Sequence, residues 1–186
     1  MPPLVACAAL GAVAGTLLDG IHAYGGVLDY EHDAFGRWAW FVPLEFALVG
    51  LAAGLAVPWL ERSGAAEPAS WSLWRRVVEL ALFACLYLAT TLVGGGVEAV
   101  VLALALAALA VARLLIGDAR GDLPYVALAA AAGPAGEIVI SAIGAFDYEH
   151  PDLLGIPIWL PALWANAGFL IRRLLVPIVL PARVSV

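Results

Sequence analysis

The chain has 186 residues, of which 64% are hydrophobic and 13% are charged, with a formal net charge of −6 at pH 7. A soluble domain carries roughly 45–50% apolar and about 25% charged residues, so this composition excludes a water-soluble globular protein and predicts that lipid solvates most of the surface. The negative net charge also disfavours nucleic acid as a partner.

Six apolar segments follow one another along the chain, each close to the roughly 20 residues that an α-helix needs to cross the ~30 Å hydrocarbon core. Spanning segments in lipid must satisfy their own backbone polar groups, which predicts helices, and the two-residue alternation of a membrane β-barrel strand is missing. We therefore predict an all-α, polytopic membrane protein with six transmembrane helices. The predicted spans are residues 3–25, 38–60, 75–93, 97–117, 123–146 and 155–176.

Arginine residues set the predicted orientation. Eight of the nine arginines lie around the loops after spans two and four and at the C-terminal end, whereas the other side has only Arg37. Positively charged loops stay in the cytoplasm, so the N and C termini are predicted to be cytoplasmic. The use of arginine alone, with much Ala, Gly and Leu, indicates a GC-rich bacterial genome, and we expect the multi-pass protein in the bacterial inner (plasma) membrane.

The tetrapeptide Asp-Tyr-Glu-His occurs twice, at residues 29–32 and 147–150. Each copy follows a long apolar run and precedes a tryptophan that leads to a proline, Trp40-Phe-Val-Pro in the first half and Trp159-Leu-Pro in the second. An acidic residue lies ten positions before each copy. We interpret this as an internal duplication within one transmembrane domain, residues 1–186, with parallel repeat units of about 10–60 and 128–176.

The two acids that precede the tetrapeptides, Asp19 and Glu137, are predicted to lie about 15 Å below the outer loops, near the bilayer centre. His22 follows Asp19 by three residues and shares its helix face, and Glu45 can join the same cluster. A carboxylate at that depth is costly unless it is paired, neutral or facing a wet cavity. One interpretation is a cavity lining that hydrogen-bonds the head group of a ligand. The alternative, which is compatible with the first, is that Asp19, His22 and Glu137 share a proton between packed helices.

Other polar residues give weaker signals. The acids and histidines of the tetrapeptides are of types that bind divalent metals, but they lie in loops without a metal-site spacing, and we interpret them as helix ends with tyrosines in the aromatic belt. We predict no metal, no cofactor and no catalytic residue, since no motif offers a nucleophile. Glu79 follows Arg75 and Arg76 by one turn and is interpreted as their interfacial ion-pair partner.

The order of several short motifs resembles that of the Insig (insulin-induced gene) family. In the second half, the residues after the tetrapeptide are similar to the family's Pro-Asp-Phe-Leu, Trp-Leu-Pro, Ala-Gly-Gly and Arg series. In the first half, the chain is similar to its Trp-Trp-Val-Pro and Val-Gly-Leu patterns, and the middle resembles a Leu-Ala-Ala-Leu run ending in an Asp-Arg pair. The segments that carry the resemblance are 39–43, 49–51, 106–109, 118–120, 146–154, 159–161, 167–168 and Arg172.

The Insig resemblance implies six transmembrane helices and a non-enzymatic protein that binds a lipid between its helices. Eukaryotic members bind oxysterols and hold sterol-sensing partners, and the aspartate matched by Asp118 serves partner binding there, so Asp118 and Arg120 are expected to form a partner surface. Acids here replace or join the family's intramembrane amides, so the ligand preference is expected to differ. In a bacterium, diacylglycerol, a hopanoid or a carotenoid becomes the expected occupant in place of a sterol.

Together these observations predict a membrane protein that binds or senses a sterol-like or diacylglycerol-like lipid without catalysis. The expected ligand-binding residues are Asp19, His22, Glu137, Trp40 and Trp159. The expected partners are the lipid bilayer and further copies of the chain in a homo-oligomer, with a trimer among the candidates. The alternatives are a small proton-coupled transporter that uses Asp19 and Glu137, and, third, a metal-dependent membrane enzyme that acts on lipids.

Overall fold

The computed structural model describes residues 1–64, 71–93 and 95–181; Gly94 and the last arginine, Arg183, lie outside these ranges. Helices dominate, and a π-helical turn, Gly11–Gly15, joins the first two into one rod. The helices are α1 (Pro3–Leu10), α2 (Thr16–Gly25), α3 (Val42–Gly64), α4 (Leu73–Thr90), α5 (Val97–Ile116), α6 (Ala119–Ala142) and α7 (Leu160–Val179), and the strands are β1 (Leu28–Tyr30), β2 (Asp33–Phe35), β3 (Trp38–Ala39) and β4 (Phe146–Tyr148).

Local sequence signals account for several helix ends. The Ser72 side chain accepts a hydrogen bond from the backbone N–H of Arg75 at 3.3 Å, and Asp118 accepts one from that of Gly121 at 3.2 Å, which caps α4 and α6. Gly26 adopts the left-handed conformation (φ 70°) that ends α2. The first rod therefore stops just before β1.

The α7 helix is the centre of the bundle, with α1, α3, α4, α5 and α6 packed around it. Inside the protein, 56% of the α7 span is buried, against 17–22% of the spans of the first rod, α3, α5 and α6. Large apolar side chains on those outer helices, such as Val13, Leu48, Leu104 and Val139, are exposed. This arrangement suits a bundle whose outer surface is solvated by lipid.

Small residues allow the first rod to pack closely against α3. A Cβ atom at Gly50 would overlap the backbone oxygen of Cys7, and one at Gly11 would overlap the backbone oxygen of Phe46. A Cβ at Gly54 would lie 3.0 Å from the Cys7 side chain. Such contacts are typical of helix pairs in membranes, where packing rather than water drives association.

The two copies of the tetrapeptide meet in an antiparallel pair of short strands at one end of the bundle. In this pair β1 runs against β4, and Asp29 faces Asp147. We call this end of the bundle the loop end. The opposite end, which carries Asp118 and Arg172, is called the arginine end.

The prediction of an all-α polytopic bundle with six helical rods is confirmed, with the short strands confined to the loops. Within the described ranges, five rods are long and apolar enough to cross a membrane. The sixth rod, α4, has 18 residues and carries Arg75, Arg76 and Glu79 near its start. Observed bounds differ from the predicted ones by a few residues, because the segments before α3 and α7 form turns and strands instead of helix.

Candidate functional site

A cavity of about 460 Å³ lies between α2, α3, α4, α6 and α7. Five residues of its lining are exposed on the outside of the bundle: Leu48 and Ala52 on α3, and Leu128, Ala132 and Gly136 on α6. These positions recur every four residues and so form one stripe on each helix. The cavity therefore opens sideways, between α3 and α6, toward the lipid.

The carboxyl and imidazole groups of the cavity gather at the loop end. Asp19 and His22 are 6% and 2% exposed and lie one turn apart on α2, as predicted from their spacing. Glu45 comes from the first turn of α3 and Glu137 from α6, and all four residues line the cavity. The predicted cluster of Asp19, His22 and Glu137 is thus brought together, with Glu45 added.

Each of the two predicted acids accepts a hydrogen bond from the tyrosine of its own tetrapeptide. The Tyr30 hydroxyl donates to Asp19 Oδ2 at 2.8 Å, and the Tyr148 hydroxyl donates to Glu137 Oε2. Burial, together with the adjacent carboxyl group, raises the pKa of Tyr30 and the pKa of Tyr148 well above the usual range for a tyrosine. Both hydroxyl groups therefore remain protonated donors throughout the physiological pH range.

Further partners hold Glu137 and His22. Trp164 Nε1 donates to Glu137 Oε1 at 2.5 Å. The Thr90 hydroxyl donates to the Tyr87 backbone oxygen at 2.6 Å, so its own oxygen accepts from His22 Nε2 at 2.7 Å. This geometry places a hydrogen on His22 Nε2. Asp19, His22 and Glu137 thus have separate partners, and among the described residues no direct hydrogen bond joins any two of the three.

The two predicted tryptophans occupy different environments. Trp159 is 3% exposed and packs edge-on to His22 with ring centroids 5.6 Å apart, behind the cavity lining. Trp40 is 59% exposed and packs against Phe41, and the structure does not bring it to the cavity.

The arginine end holds a buried ionic network. Arg172 is 1% exposed and donates to Glu61 at 3.0 Å, Asp118 at 2.8 Å and Asp122 at 3.0 Å. Arg173 donates to both oxygens of Asp122, at 2.7 Å to Oδ1, which Arg172 also contacts, and at 2.9 Å to Oδ2.

The ion-pair partners of Glu79 are Arg113 and Arg173, from α5 and α7. The predicted pairing with Arg75 and Arg76 is therefore wrong. Tertiary contacts between helices take the carboxylate away from its neighbours in sequence.

The two residues expected to contact a partner lie at the edge of this network. The Asp118 side chain is 41% exposed, and Arg120 is exposed. Burial alone would raise the pKa of Asp118, but hydrogen bonds from Arg172 and from the Gly121 backbone N–H outweigh it and lower the pKa below its usual value. Asp118 is thus an accessible carboxylate at physiological pH.

The loop acids lie apart from the cavity. Asp29 pairs with Arg37 at 2.8 Å, and both side chains are largely exposed. Within residues 1–64, 71–93 and 95–181, no group of three or more His, Cys, Asp or Glu residues is placed to hold a metal ion.

Comparison with known proteins places the chain in a family. A family model described as Protein of unknown function (DUF2878) matches residues 76–179, more than half of the chain. The chain belongs to this family. No curated protein matches it significantly.

Solved structures resemble almost the whole chain. A mycobacterial Insig homologue, MvINS from Mycobacterium vanbaalenii, matches at 28% identity with a TM-score of 0.71, over 93% of this chain and 91% of that chain. A crystal structure of a cross-linked MvINS trimer matches at 28% identity with a TM-score of 0.75, over 99% of this chain and 97% of that chain. The Insig resemblance of the sequence is therefore confirmed, and the chain is a homologue of the bacterial Insig proteins.

The sequence does not predict every residue of the site. It places Tyr30 and Tyr148 in the aromatic belt and indicates no role for Thr90, Tyr87 or Trp164. The equal spacing of eleven residues from each acid to its tyrosine was a usable signal. No local pattern connects Thr90 or Trp164 to the cavity, because they come from other helices.

Proposed function

We propose that this protein is a bacterial inner-membrane lipid-binding protein that holds one amphiphilic lipid between its helices without catalysis. The observation that supports this most directly is the shape of the main cavity. It opens toward the bilayer between α3 and α6, and its carboxyl and imidazole groups lie together at the loop end. A lipid can therefore enter sideways, with its head at the acids and its chain along the apolar wall.

The dimensions of the cavity suit a ligand with the length and bulk of a sterol or a diacylglycerol. The volume of about 460 Å³ lies within the usual range of roughly 300–1,000 Å³ for ligand sites. The lining runs along α6 from Tyr125 to Glu137, which at 1.5 Å per residue is about 18 Å. A second cavity of about 100 Å³ shares Phe46, Val49 and Trp164 with the first and offers room for a second chain or a branch.

The absence of catalysis is part of the proposal. Asp19, His22 and Glu137 are each held by a separate structural donor or acceptor, Tyr30, Thr90 and Tyr148. A nucleophile activated by an adjacent base would require a different pairing. The arrangement is that of a binding site whose polar groups are fixed in position.

The experiment that tests lipid binding is extraction of the purified protein followed by lipid mass spectrometry. We expect about one lipid per chain. A Cβ atom at Gly136 would meet nothing within 4 Å, so Gly136→Leu fits and obstructs the opening, and it should reduce the bound lipid several-fold. Ala135→Leu, at an exposed position beside it and outside the lining, is the matched control and should retain the lipid. Equal lipid content in the two variants would contradict the proposed route.

A proton-coupled transporter remains the second candidate, because carboxyl groups buried at this depth in a membrane are typical of transport pathways. Flux measurements in proteoliposomes distinguish it from a static binder. Solute-driven proton movement that is abolished by Glu137→Gln would favour the transporter.

We further propose that the protein forms a homo-oligomer and responds to its ligand by a shift between helix arrangements. The oligomer is supported by the cross-linked trimer of MvINS. With cytoplasmic termini, the arginine end would face the cytoplasm, where Asp118 and Arg120 would contact a partner. Light scattering of the purified protein measures the oligomer, and a monomer at all concentrations would contradict it.

The internal duplication is proposed on similar grounds. The two repeat units, about 10–60 and 128–176, each supply one strand to the β1–β4 pair and one acid–tyrosine hydrogen bond to the cavity. A duplicated unit explains why the two bonds are related by the same spacing.

A further inference from the structure

We propose that the head group of the ligand is a protonated amine, so that the cavity selects an amine-bearing amphiphile over neutral and anionic amphiphiles with the same chain. This inference rests on the proposed lipid-binding function and specifies the chemistry of the ligand at that same site. Its support comes from the charge, the unused hydrogen-bonding groups and the aromatic rings at the loop end.

The charges that line the cavity are acidic. Asp19, Glu45 and Glu137 supply three carboxyl groups, and these lie close enough to interact with one another. Among the lining residues, the only basic group is His22, whose Nε2–H is already bonded to Thr90. Like charges gathered in a low-dielectric site repel, whereas a cation among them would be stabilised.

Some carboxyl oxygens in the cavity accept no hydrogen bond from the protein. Asp19 uses one carboxyl oxygen, toward Tyr30, and within the described part of the chain Glu45 has no hydrogen-bond partner at either oxygen. These free acceptors face the cavity. A bound molecule with several N–H or O–H donors would satisfy them.

A second, independent observation points to a ligand. Tyr87 is 7% exposed and lines both cavities, and its hydroxyl has no hydrogen-bond partner among residues 1–64, 71–93 and 95–181. A hydroxyl that lines a cavity and has no protein partner is free to bond to a ligand. It faces the same group of three carboxyls, where the polar atoms of a head group would meet it.

Aromatic rings surround the acids. Tyr30, Tyr87, Tyr148 and Phe146 all line the cavity at the loop end. An aromatic face attracts a cation that lies within about 6 Å of it, and this holds for a primary ammonium as well as for a quaternary one. Carboxylates and aromatic faces together favour a positive head group and disfavour phosphate or carboxylate.

A primary ammonium meets these conditions better than a hydroxyl does. It carries three N–H donors and one positive charge, which match three converging carboxyl groups. An alcohol offers one donor and no charge, and it would leave the repulsion between the acids unrelieved.

The test compares head groups on one chain. The delipidated full-length protein, in a non-ionic detergent, is mixed with equimolar hexadecylamine, hexadecanol and hexadecanoic acid, and the bound species are counted by native mass spectrometry. We expect the amine to exceed the alcohol by at least about tenfold, because hydrogen bonds to charged groups contribute more than those between neutral groups. The acid is expected to bind least.

Variants then test whether the carboxyl groups cause the preference for the amine. Glu45→Gln keeps the size of a side chain that has no hydrogen-bond partner, and it should lower amine binding about tenfold while leaving alcohol binding within about twofold. Glu98→Gln, exposed at the start of α5, is the control and should change neither.

The outcomes separate the two proposals. Preference for the alcohol, or equal binding of the amine and the alcohol, would overturn the amine assignment and leave lipid binding in place. If Glu45→Gln lowers amine binding and alcohol binding equally, the amine assignment is also overturned, since the effect would then not depend on charge. If none of the three compounds binds, the lipid-binding proposal fails as well.

Discussion

Substitution of Arg172 by methionine should destabilise the bundle more than any surface substitution. Arg172 is 1% exposed and is bonded to Glu61, Asp118 and Asp122. After its removal, Asp122 retains Arg173, and Asp118 is partly exposed, but Glu61 loses its cation while only 8% exposed. The main cost is therefore that the Glu61 carboxylate stays buried without a cation beside it.

Removing one partner of a buried ion pair lowers the free energy of unfolding by about 3–5 kcal/mol. Because only the Glu61 carboxylate is left without a cation, we expect a loss of about 3 kcal/mol. For a chain of this length that corresponds to a decrease in Tm of roughly 6–12 °C. Arg172→Lys should restore little, because an ammonium cannot reproduce the forked contacts of the guanidinium.

The assay is thermal unfolding of the purified protein in detergent, followed by circular dichroism. Arg120→Met, at an exposed position, is the control and should change the free energy of unfolding by less than about 0.5 kcal/mol. Adding Glu61→Gln to Arg172→Met removes the buried charge that lacks a partner, and it should recover part of the decrease in Tm. Equal Tm values for Arg172→Met and Arg120→Met would refute the reasoning.

Three further changes test other contacts. Gly50→Val should lower Tm by several degrees, because its Cβ would overlap the Cys7 backbone oxygen and separate α1 from α3. Thr90→Val leaves the buried His22 Nε2–H unpaired and should cost about 1–3 kcal/mol in thermal unfolding. Asp118→Ala should leave lipid content unchanged and lower Tm by a few degrees, because it removes the cap of α6 and one contact of Arg172. Since the folded pKa of Asp118 is lowered, its stabilisation is present above the usual aspartate pKa and is lost as the pH falls through the lowered value. The Tm difference from wild type should then vanish in acid.

The helices could be predicted from the sequence because lipid leaves the backbone few options. Apolar runs of about 20 residues must be helical to satisfy their own polar groups, and the six rods appear where these runs occur. The strands could not be predicted, since β1 and β4 have three residues each and form only because two distant loops meet. Their existence depends on tertiary structure and not on local preference.

Part of the candidate site could also be predicted from the effect of lipid on polar groups. Asp19 and Glu137 stand out because a carboxyl group within an apolar run is costly unless it is satisfied. Their partners were harder to predict, since Trp164 reaches Glu137 from another helix. Glu79 shows the limit of reasoning from neighbours in sequence, because contacts with α5 and α7 replaced the expected local ion pair.

The wall of the cavity formed by α6 and α7 is fixed at both ends. Glu137 and Trp164 join the two helices at the loop end, and Asp122 bonds to Arg172 and Arg173 at the arginine end. Between these contacts, a Cβ at Gly133 would overlap the Trp164 ring, so the helices cannot slide past one another without a clash. The opposite wall is α3, which Glu61 joins to Arg172 at the arginine end, but whose Glu45, at the loop end, has no hydrogen-bond partner in the described ranges. A ligand that engages Glu45 therefore acts on the loop end of α3, and any ligand-dependent shift should appear there before it appears in α6 or α7.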